Sequence, residues 1–477
     1  MRAHPAGPRH GDMVSALGAP SAPLDSASMH ELATSVWSQN VTRAAGDNLS
    51  QQAVVVAGLD VRDIAEQFGT PLYVLDEGDF RSRAAAFRDA YDNLEIPGQV
   101  YYAGKAFLSA TTLDWLAQEG LNLDVCSGGE LALALRAGFP ADRISFHGNN
   151  KSHDEIEGAV AAGIGSFVID SYEEIVRLAA AAERHDTVVD VLVRVTVGVE
   201  AHTHEFIATA HEDQKFGLSL SNGAAAEAIR RIVKLPSLHL VGLHSHIGSQ
   251  IFDAAGFEVS AHRLVGLAAA VRDEHGFEVA ELNLGGGMGI AYQSDDDPMT
   301  AEQMANLLRG IITRECASYG LALPRISVEP GRAIVGPSMF TLYRVGTVKD
   351  IDLGNGHFRQ YVSVDGGMSD NIRTALYDAE YTVRLASRVS DAEAVLSRVV
   401  GRHCESGDIV VRDCWLPADI TAGDLLAVAA TGAYCRAMAS NYNYVPRPAV
   451  VSVRDGEAKL VLRGETIDDL LAFDPAL

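Results

Sequence analysis

Short apolar runs alternate with longer amphipathic segments through the middle of the chain. Eight runs have the length and the Val, Ile and Leu content of buried strands: 100–104, 121–127, 144–148, 166–170, 190–197, 240–248, 281–286 and 325–331. Helical spacing of apolar positions occupies the segments 128–137, 154–162, 171–184, 223–234, 258–275 and 301–320. Continuous apolar strands joined by helices indicate a parallel sheet. Eight such units favour a closed (β/α)8 barrel over an open, doubly wound sheet.

The pattern changes after Gly336. Helical spacing almost disappears, and Val-rich alternating runs follow at 341–349, 360–364, 395–400, 408–412, 425–430 and 448–462. The sequence Asp-Gly-Glu at 455–457 is typical of a hairpin turn. We therefore predict that residues 78–336 form the barrel and that residues 337–477 form an antiparallel β-sandwich or β-barrel domain. Residues 51–77, with an apolar run at 71–75, are predicted to lead in from the β domain.

The first 50 residues are rich in Ala, Pro, Gly and Ser, which predicts a loosely ordered extension. They contain no apolar run of the kind found in signal peptides, and no segment of the chain has the roughly 18 apolar residues of a membrane span. The net charge of −25 argues against nucleic acid or an anionic membrane as a partner. Five scattered cysteines, without a CxxC pair, are typical of a reducing compartment. We expect a cytoplasmic protein.

Residues suited to catalysis or ligand binding follow the predicted barrel strands at their carboxyl ends. They are Lys105, Asp124, His147, His244, His246, the glycines 285–287, Glu329 and Arg332. Active sites of β/α barrels lie at this end of the strands, and a random scatter would put half of these residues at the other rim. A lysine at such a rim is more often a surface residue with a buried aliphatic stem. Among apolar neighbours, however, desolvation lowers the pKa of an amine and makes it a nucleophile for a carbonyl group.

Two histidine-containing segments also admit a metal interpretation. His244 and His246 lie on one side of a strand, as the zinc pair of barrel hydrolases does, but those enzymes carry the pair on the first strand rather than the sixth. The segment from His202 to His211 is better interpreted as solvated or as a lid. We therefore expect no metal, and we keep a zinc-dependent hydrolase and a non-catalytic binding protein as the alternatives.

Ten motifs, in order from about residue 55 to the C-terminus, resemble those of the fold-type III decarboxylases, which use pyridoxal 5′-phosphate (PLP). The motifs are YAGKAF, LDVCSGGEL, HGNNKS, KFG, HSHIGSQ, LNLGGGMGI, EPGR, DGGMSDNIRTALY, CESGD and TGAY. The resemblance implies a PLP-dependent carboxy-lyase that acts as a homodimer with shared active sites. Glu329 fits a decarboxylase, because a carboxylate keeps the pyridine nitrogen protonated, whereas racemases of this fold place an arginine there.

The resemblance also implies a role for individual residues. Lys105 would hold the cofactor covalently, and Cys404 would be the catalytic acid, reaching in from the partner subunit. The remaining cofactor-binding residues would be Asp124, His246, Ser249, Gly286, Gly287, Glu329, Gly331, Arg332 and Tyr434. The substrate-binding residues would be Arg332, Arg373, Tyr377, Glu405 and Tyr434.

The resemblance implies the substrate, and the charges among these residues agree with it. An amino acid with a distal ammonium and a distal carboxylate requires an acid and a cation, and Glu405 with Arg332 and Arg373 provides both. We expect decarboxylation of meso-2,6-diaminopimelate to L-lysine, the last step of lysine biosynthesis. Two positions depart from the family pattern. Thr196-Val197 replaces an Asn-Pro after the fifth strand, and His403 precedes the cysteine where small or apolar residues are common.

Overall fold

The computed structural model of the chain describes residues 21–23, 25–198, 215–354 and 357–477. Two compact units form. The barrel unit consists of Arg81–Gly289 and Pro298–Ile334, and the β unit consists of Met1–Phe80, Ile290–Asp297 and Val335–Leu477. The predicted lid or solvated loop from His202 to His211 lies outside the described residues.

The N-terminal part of the β unit is ordered well before the predicted start of regular structure. Its elements are β1 (Val41–Arg43), β2 (Val54–Val56), β3 (Leu59–Asp60), α1 (Val61–Phe68) and β4 (Leu72–Asp76). Val36, Trp37 and Val41 are buried in a core cluster together with residues of β2, α1 and β4. The prediction of a loosely ordered extension is therefore wrong for residues 25–50. The few large apolar residues of this segment are separated by polar ones, so its composition does not indicate that part of it is buried.

The barrel unit follows the predicted alternation. Its helices are α2 (Glu77–Asp92, which begins in the β unit), α3 (Ala110–Gln118), α4 (Gly128–Arg136), α5 (His153–Ala162), α6 (Tyr172–Arg184), α7 (Ala224–Ile232), α8 (Ala255–His275), α9 (Ala301–Tyr319) and the short α10 (Arg332–Val335). Its strands are β5 (Gly98–Ala103), β6 (Asn122–Val125), β7 (Ile144–Phe146), β8 (Ser166–Ile169), β9 (Val189–Thr196), β10 (Leu218–Ser219), β11 (Leu238–His244), β12 (Glu281–Asn283) and β13 (Arg325–Val328).

Eight of these strands close into a barrel. Parallel pairings run in the order β5, β6, β7, β8, β9, β11, β12 and β13, and β13 pairs with β5 to complete the ring. The predicted closed barrel is confirmed. The side chains of Ser109, Ser127, Ser152, Ser171 and Thr300 each accept the backbone N–H three residues on, and these caps set the starts of five helices that follow strand ends.

The C-terminal part of the β unit contains β14 (Met339–Gly354), β15 (His357–Val364), α11 (Arg373–Tyr377), β16 (Val383–Leu385), β17 (Ala394–Val400), β18 (Ile409–Pro417), β19 (Leu425–Val428), β20 (Ala449–Arg454), β21 (Glu457–Leu462) and α12 (Ile467–Leu471). With β4 these strands form one nine-stranded sheet. The predicted hairpin is present, with Asp455 and Gly456 both at positive φ. The expectation of a wholly antiparallel sheet needs one correction, because β15 pairs with β17, and β4 with β20, in parallel.

Among the described residues, no helix is long and apolar enough to span a membrane.

Candidate active site

The barrel gathers the predicted reactive residues at the carboxyl ends of its strands. Lys105 lies in a single turn directly after β5, where its side chain is exposed at the rim while Gly104 and Ala106 are buried. Asp124 lies in β6, and Glu329 directly follows β13. The charge of Lys105 acts on Asp124 and partly offsets the effect of burial on the pKa of that carboxyl group.

Two histidines hold the carboxylate of Glu329. Nε2 of His244 lies 2.9 Å from Glu329 Oε1, and Nε2 of His147 lies 3.5 Å from the same oxygen. The imidazole rings of the two histidines meet edge to face, with centroids 5.1 Å apart. His147 also approaches Asp124, whose Oδ1 is 4.0 Å from His147 Nε2. All four side chains are buried, so their charges interact at a low local dielectric.

Burial and neighbouring charges shift the pKa values of Asp124 and Glu329 in opposite directions. Burial, followed by the charge of Glu329, raises the pKa of Asp124 well above its usual range. Burial would also raise the pKa of Glu329, but His244 and His147 outweigh it and hold that pKa well below its usual range. Burial lowers the pKa of His147 well below its ordinary value. Glu329 is therefore ionised at neutral pH, whereas the pKa of Asp124 beside it is shifted in the opposite direction, the kind of division that distinguishes carboxyl roles in active sites.

A third histidine, His246, follows β11, and its ring packs against the glycine segment that follows β12. Burial, followed by the charge of Lys105, lowers the pKa of His246 well below its ordinary value, so the ring is neutral. The backbone N–H of Gly286 donates to His246 Nδ1 at 3.2 Å. Since Nδ1 accepts, the ring proton is on Nε2. The hydrogen bond thus fixes both the tautomer and the orientation of the ring.

The glycine segment admits no side chain. A Cβ on Gly286 would lie 2.4 Å from the carbonyl oxygen of Glu329, and one on Gly287 would lie 2.6 Å from the carbonyl oxygen of Gly248. Gly287 also has a φ of +113°, which other residues rarely adopt. Gly331 is similarly constrained, because its Cβ would lie 2.9 Å from Ala103. The backbone around Glu329 is therefore packed closely and left bare, as an anion cradle requires.

A cation lies next to this cradle. Arg332, at the start of α10, is 7% exposed and donates from Nη2 to Ser249 Oγ at 2.9 Å. The hydrogen bond joins two residues that the sequence analysis assigned to cofactor binding.

The β unit contains the remaining predicted residues. Arg373 begins α11 and is buried, Tyr377 ends the same helix and is half-buried, and Tyr434 follows β19 at a φ of +63°. Cys404 is exposed, and Glu405 is half-buried, on the turn between β17 and β18. Among the described residues, Arg373 makes no hydrogen bond to either residue of this turn.

His403 and Thr196, the two departures from the family pattern, are both anchored. His403 lies 2.8 Å from Ser369 Oγ through Nε2 and 3.1 Å from Asn443 Oδ1 through Nδ1, so it ties the turn that carries Cys404 to two neighbouring segments. Thr196 Oγ1 donates to the carbonyl oxygen of Phe216 at 2.7 Å.

Sequence reasoning missed two tyrosines of the β unit and assigned His147 no role. Tyr292 and Tyr381 both accept hydrogen bonds from Arg373. The only available signal for His147 was its place at a strand end. The metal interpretation had grouped His244 with His246, whereas the group of ligand atoms within 4.8 Å of one another is His147, His244 and Glu329.

The comparisons with known proteins define the class. Residues 77–336 match the family described as "Pyridoxal-dependent decarboxylase, pyridoxal binding domain". The chain belongs to this family of PLP-dependent enzymes, and its cofactor is PLP.

Individual relatives are similar over almost the whole chain. The diaminopimelate decarboxylase of Mycobacterium leprae is 54% identical over 478 residues, covering 99% of this chain and 100% of the relative. That of Mycobacterium tuberculosis H37Rv is 57% identical over 447 residues, covering 93% and 98%. The crystal structure of diaminopimelate decarboxylase from M. jannaschii in complex with L-lysine has a TM-score of 0.82 and 31% identity, covering 92% of this chain and 98% of that one.

Proposed function

We propose that this enzyme removes one carboxylate of meso-2,6-diaminopimelate to give L-lysine and CO2, the last step of lysine biosynthesis. The observation that carries the reaction class is the ionised Glu329, held by His244 in the pocket that Lys105 borders. Relatives with this activity in their names match nearly the full chain, which supports the substrate.

The barrel residues fit PLP. Lys105 provides the exposed amine that binds its aldehyde carbon. Glycine at 286, 287 and 331 lets the backbone segments pack closely and leaves their N–H groups without flanking side chains, which suits a phosphate, and Ser249 with Arg332 adds a hydroxyl and a positive charge. His246, neutral and oriented by Gly286, suits the face of an aromatic ring.

PLP held by these residues would supply the electron sink for cleavage of the bond from Cα to the carboxylate. Glu329 stabilises the proton on the pyridine nitrogen, because its carboxylate stays charged at neutral pH. The raised pKa of Asp124 beside it disfavours a second negative charge in the pocket. After CO2 leaves, the thiol of Cys404 donates its proton to Cα.

Substrate recognition depends on the charges of the β unit. Arg373 is 6% exposed, and no carboxylate pairs with it among the described residues. A buried charge without a counter-ion is costly, so this guanidinium favours an anionic ligand group. We assign it, together with Arg332, to the carboxylate that the reaction leaves in place. Glu405 binds the distal ammonium, and Tyr377 and Tyr434 line the substrate.

We further propose a cytoplasmic homodimer in which each active site combines Lys105 of one subunit with Cys404 of the other. The exposure of Cys404 supports a role at a subunit boundary, and an isologous dimer would contain two equivalent shared sites. The free state of all five cysteines is consistent with a reducing compartment.

The test is direct. Purified protein with added PLP is incubated with meso-2,6-diaminopimelate, and lysine and CO2 are quantified, with ornithine and arginine as competing substrates. We expect lysine and CO2 in equal amounts and a visible absorption band from the cofactor bound to Lys105. Lys105→Ala should lose both product formation and the absorption band. Lys234→Ala, which changes an exposed lysine of the same unit, is the matched control and should keep both.

Three results would contradict the proposal. Turnover of ornithine or arginine in preference to diaminopimelate would refute the substrate. Retention of the visible band in Lys105→Ala after dialysis would refute the role of that lysine. Stoichiometric zinc without a visible band in the protein as purified would favour a hydrolase.

A further inference from the structure

Arg373 is held by two tyrosines of the β unit. Its Nη1 donates to the hydroxyl of Tyr292 at 2.8 Å and to that of Tyr381 at 2.6 Å. The guanidinium carbon also lies over both rings, 5.2 Å from the centroid of Tyr292 and 5.7 Å from that of Tyr381. The two rings meet edge to face at 5.2 Å. Arg373 is therefore fixed on two sides, by hydrogen bonds and by ring faces.

The side chains that hold Arg373 are phenols rather than carboxylates. Burial would lower the pKa of Arg373, but the two phenol groups outweigh it and hold that pKa above its ordinary value, so the guanidinium stays charged. Burial also keeps the pKa of Tyr381 well above its ordinary value, so that phenol keeps its proton. An aspartate or glutamate in either place would orient the guanidinium equally well but would cancel its charge. Tyrosine orients the side chain and leaves its charge for an anion.

The hydrogen-bond pattern determines which edge of the guanidinium can bind a ligand. Nη1 carries two hydrogens, and each is donated to one phenol oxygen. Nη2 donates to no other residue in the described part of the chain. A carboxylate that binds Arg373 must therefore approach from the Nη2 side.

We propose that Tyr292 and Tyr381 are positioning residues that set the enzyme's preference for a ligand with a distal carboxylate, by orienting Arg373 without neutralising it. The inference rests on the proposed function, because that function supplies the carboxylate. Only one of the two carboxylates of diaminopimelate leaves as CO2. The product L-lysine therefore still carries the carboxylate that Arg373 binds.

Because the product keeps this carboxylate, two ligands that do not react can be compared to test the inference. L-lysine and 1,5-diaminopentane differ only in that carboxylate. Their dissociation constants are measured by calorimetry with the PLP-loaded enzyme, for the wild type, Tyr381→Phe, Tyr292→Phe, Arg373→Ala and the double variant Arg373→Ala/Tyr381→Phe. Phenylalanine keeps the ring over the guanidinium and removes only the hydroxyl. Tyr91→Phe is the matched control, because its buried hydroxyl, in the barrel unit, has no hydrogen-bond partner among the described residues.

We expect the wild type to bind L-lysine at least tenfold more tightly than 1,5-diaminopentane, a preference that Arg373→Ala abolishes. Each tyrosine variant should weaken L-lysine about three- to tenfold, less than the loss of Arg373 itself because the hydroxyl acts only through the orientation of the guanidinium, and should leave 1,5-diaminopentane unchanged. In the Arg373→Ala background, Tyr381→Phe should have no further effect, because the tyrosine acts through the arginine.

Equal weakening of both ligands would overturn the inference, and so would an effect of Tyr381→Phe that persists without Arg373. If one phenylalanine variant has an altered circular dichroism spectrum, the other provides the same comparison. A wild type that decarboxylates diaminopimelate, with tyrosine variants that bind L-lysine normally, would refute only the positioning role. A wild type that neither decarboxylates diaminopimelate nor prefers L-lysine would refute the proposed function itself.

Discussion

Nε2 of His244 lies 2.9 Å from Oε1 of Glu329, and both side chains are buried at the carboxyl end of the barrel. Because the pKa of Glu329 is held well below its usual range, the carboxylate accepts and the imidazole donates. A buried carboxylate is costly unless it is hydrogen-bonded, and here the fold provides the donor before any ligand binds. The fold thus stabilises the negative charge of Glu329, which a protonated pyridine nitrogen requires, before the cofactor binds.

Replacement of Glu329 by glutamine tests this arrangement. The amide cannot stabilise a protonated pyridine, so we expect PLP to remain bound while kcat falls at least tenfold, the loss of one charged hydrogen bond of roughly 1.5–3 kcal/mol. Steady-state kinetics and the visible spectrum measure the two effects. Glu281→Gln changes a buried carboxylate at the opposite end of the strands, where it pairs with Arg325, and should keep kcat within twofold. Full activity of Glu329→Gln would exclude the proposed role.

Arg373→Ala should change specificity more than it changes folding. Loss of a charged hydrogen bond of roughly 1.5–3 kcal/mol predicts a decrease in kcat/KM for diaminopimelate of about 10- to 150-fold. Any residual turnover of lysine or ornithine, which lack the second carboxylate, should fall far less. Arg412→Ala, which removes an exposed ion pair of the same unit with Asp378, is the control. Equal losses on all substrates would indicate that Arg373 supports the fold or the cofactor instead.

The shared active site predicts complementation between two inactive variants. Co-expression of Lys105→Ala and Cys404→Ala with different affinity tags yields mixed dimers that contain one doubly altered site and one intact site. If half of the dimers are mixed, about a quarter of the wild-type activity should return. Each variant expressed alone should stay nearly inactive. Inactive mixed dimers, verified by mass spectrometry, would place Cys404 in the active site of its own subunit.

Asp370 predicts a pH dependence of stability. Burial raises its pKa to about 7, although the hydroxyl of Tyr343 and the backbone N–H of Gly367 both donate to its carboxylate. An unfolded aspartate titrates near roughly 3.9, so between about pH 4 and 7 the folded state retains a proton that the unfolded state releases. The stability contributed by this group therefore falls as the pH rises through that window, by up to about 4 kcal/mol.

Asp370→Asn should remove this dependence. The amide loses one acceptor at every pH, which lowers stability by a constant amount. Thermal unfolding midpoints at pH 5, 6, 7 and 8 should therefore differ most between the two proteins at pH 5 and least at pH 8. A difference that does not change with pH would show that Asp370 does not titrate in this range.

The barrel was predictable because its signal is local. Each strand is a short apolar run, and each candidate catalytic or binding residue of the barrel follows such a run. The carboxyl ends of parallel strands meet at one rim. Lys105, Asp124 and Glu329 could therefore be grouped without knowledge of their contacts. The pKa division between Asp124 and Glu329 could not, because it depends on which carboxylate His147 and His244 approach.

The β unit was less predictable because its contacts are distant in sequence. Tyr292 lies within the segment Ile290–Asp297, between two barrel segments, yet it hydrogen-bonds to Arg373. No spacing rule links the two positions. Trp37 was overlooked for a related reason: a single large residue in a polar segment has no periodicity, although its ring is fully buried and packs beside Phe340 at 6.0 Å.

Strand β4 has a consequence for synthesis on the ribosome. Its residues Leu72–Asp76 pair with Met339–Leu342 on one side and with Ala449–Val453 on the other, so both neighbours leave the exit tunnel after the whole barrel. At roughly 5–20 residues per second, the nascent strand waits tens of seconds for its partners. During that time the sequence Leu-Tyr-Val-Leu presents an apolar edge with unpaired N–H and C=O groups. The strands of the barrel unit can pair with one another during translation, whereas β4 can pair fully only after residues 339–342 and 449–453 have been synthesised.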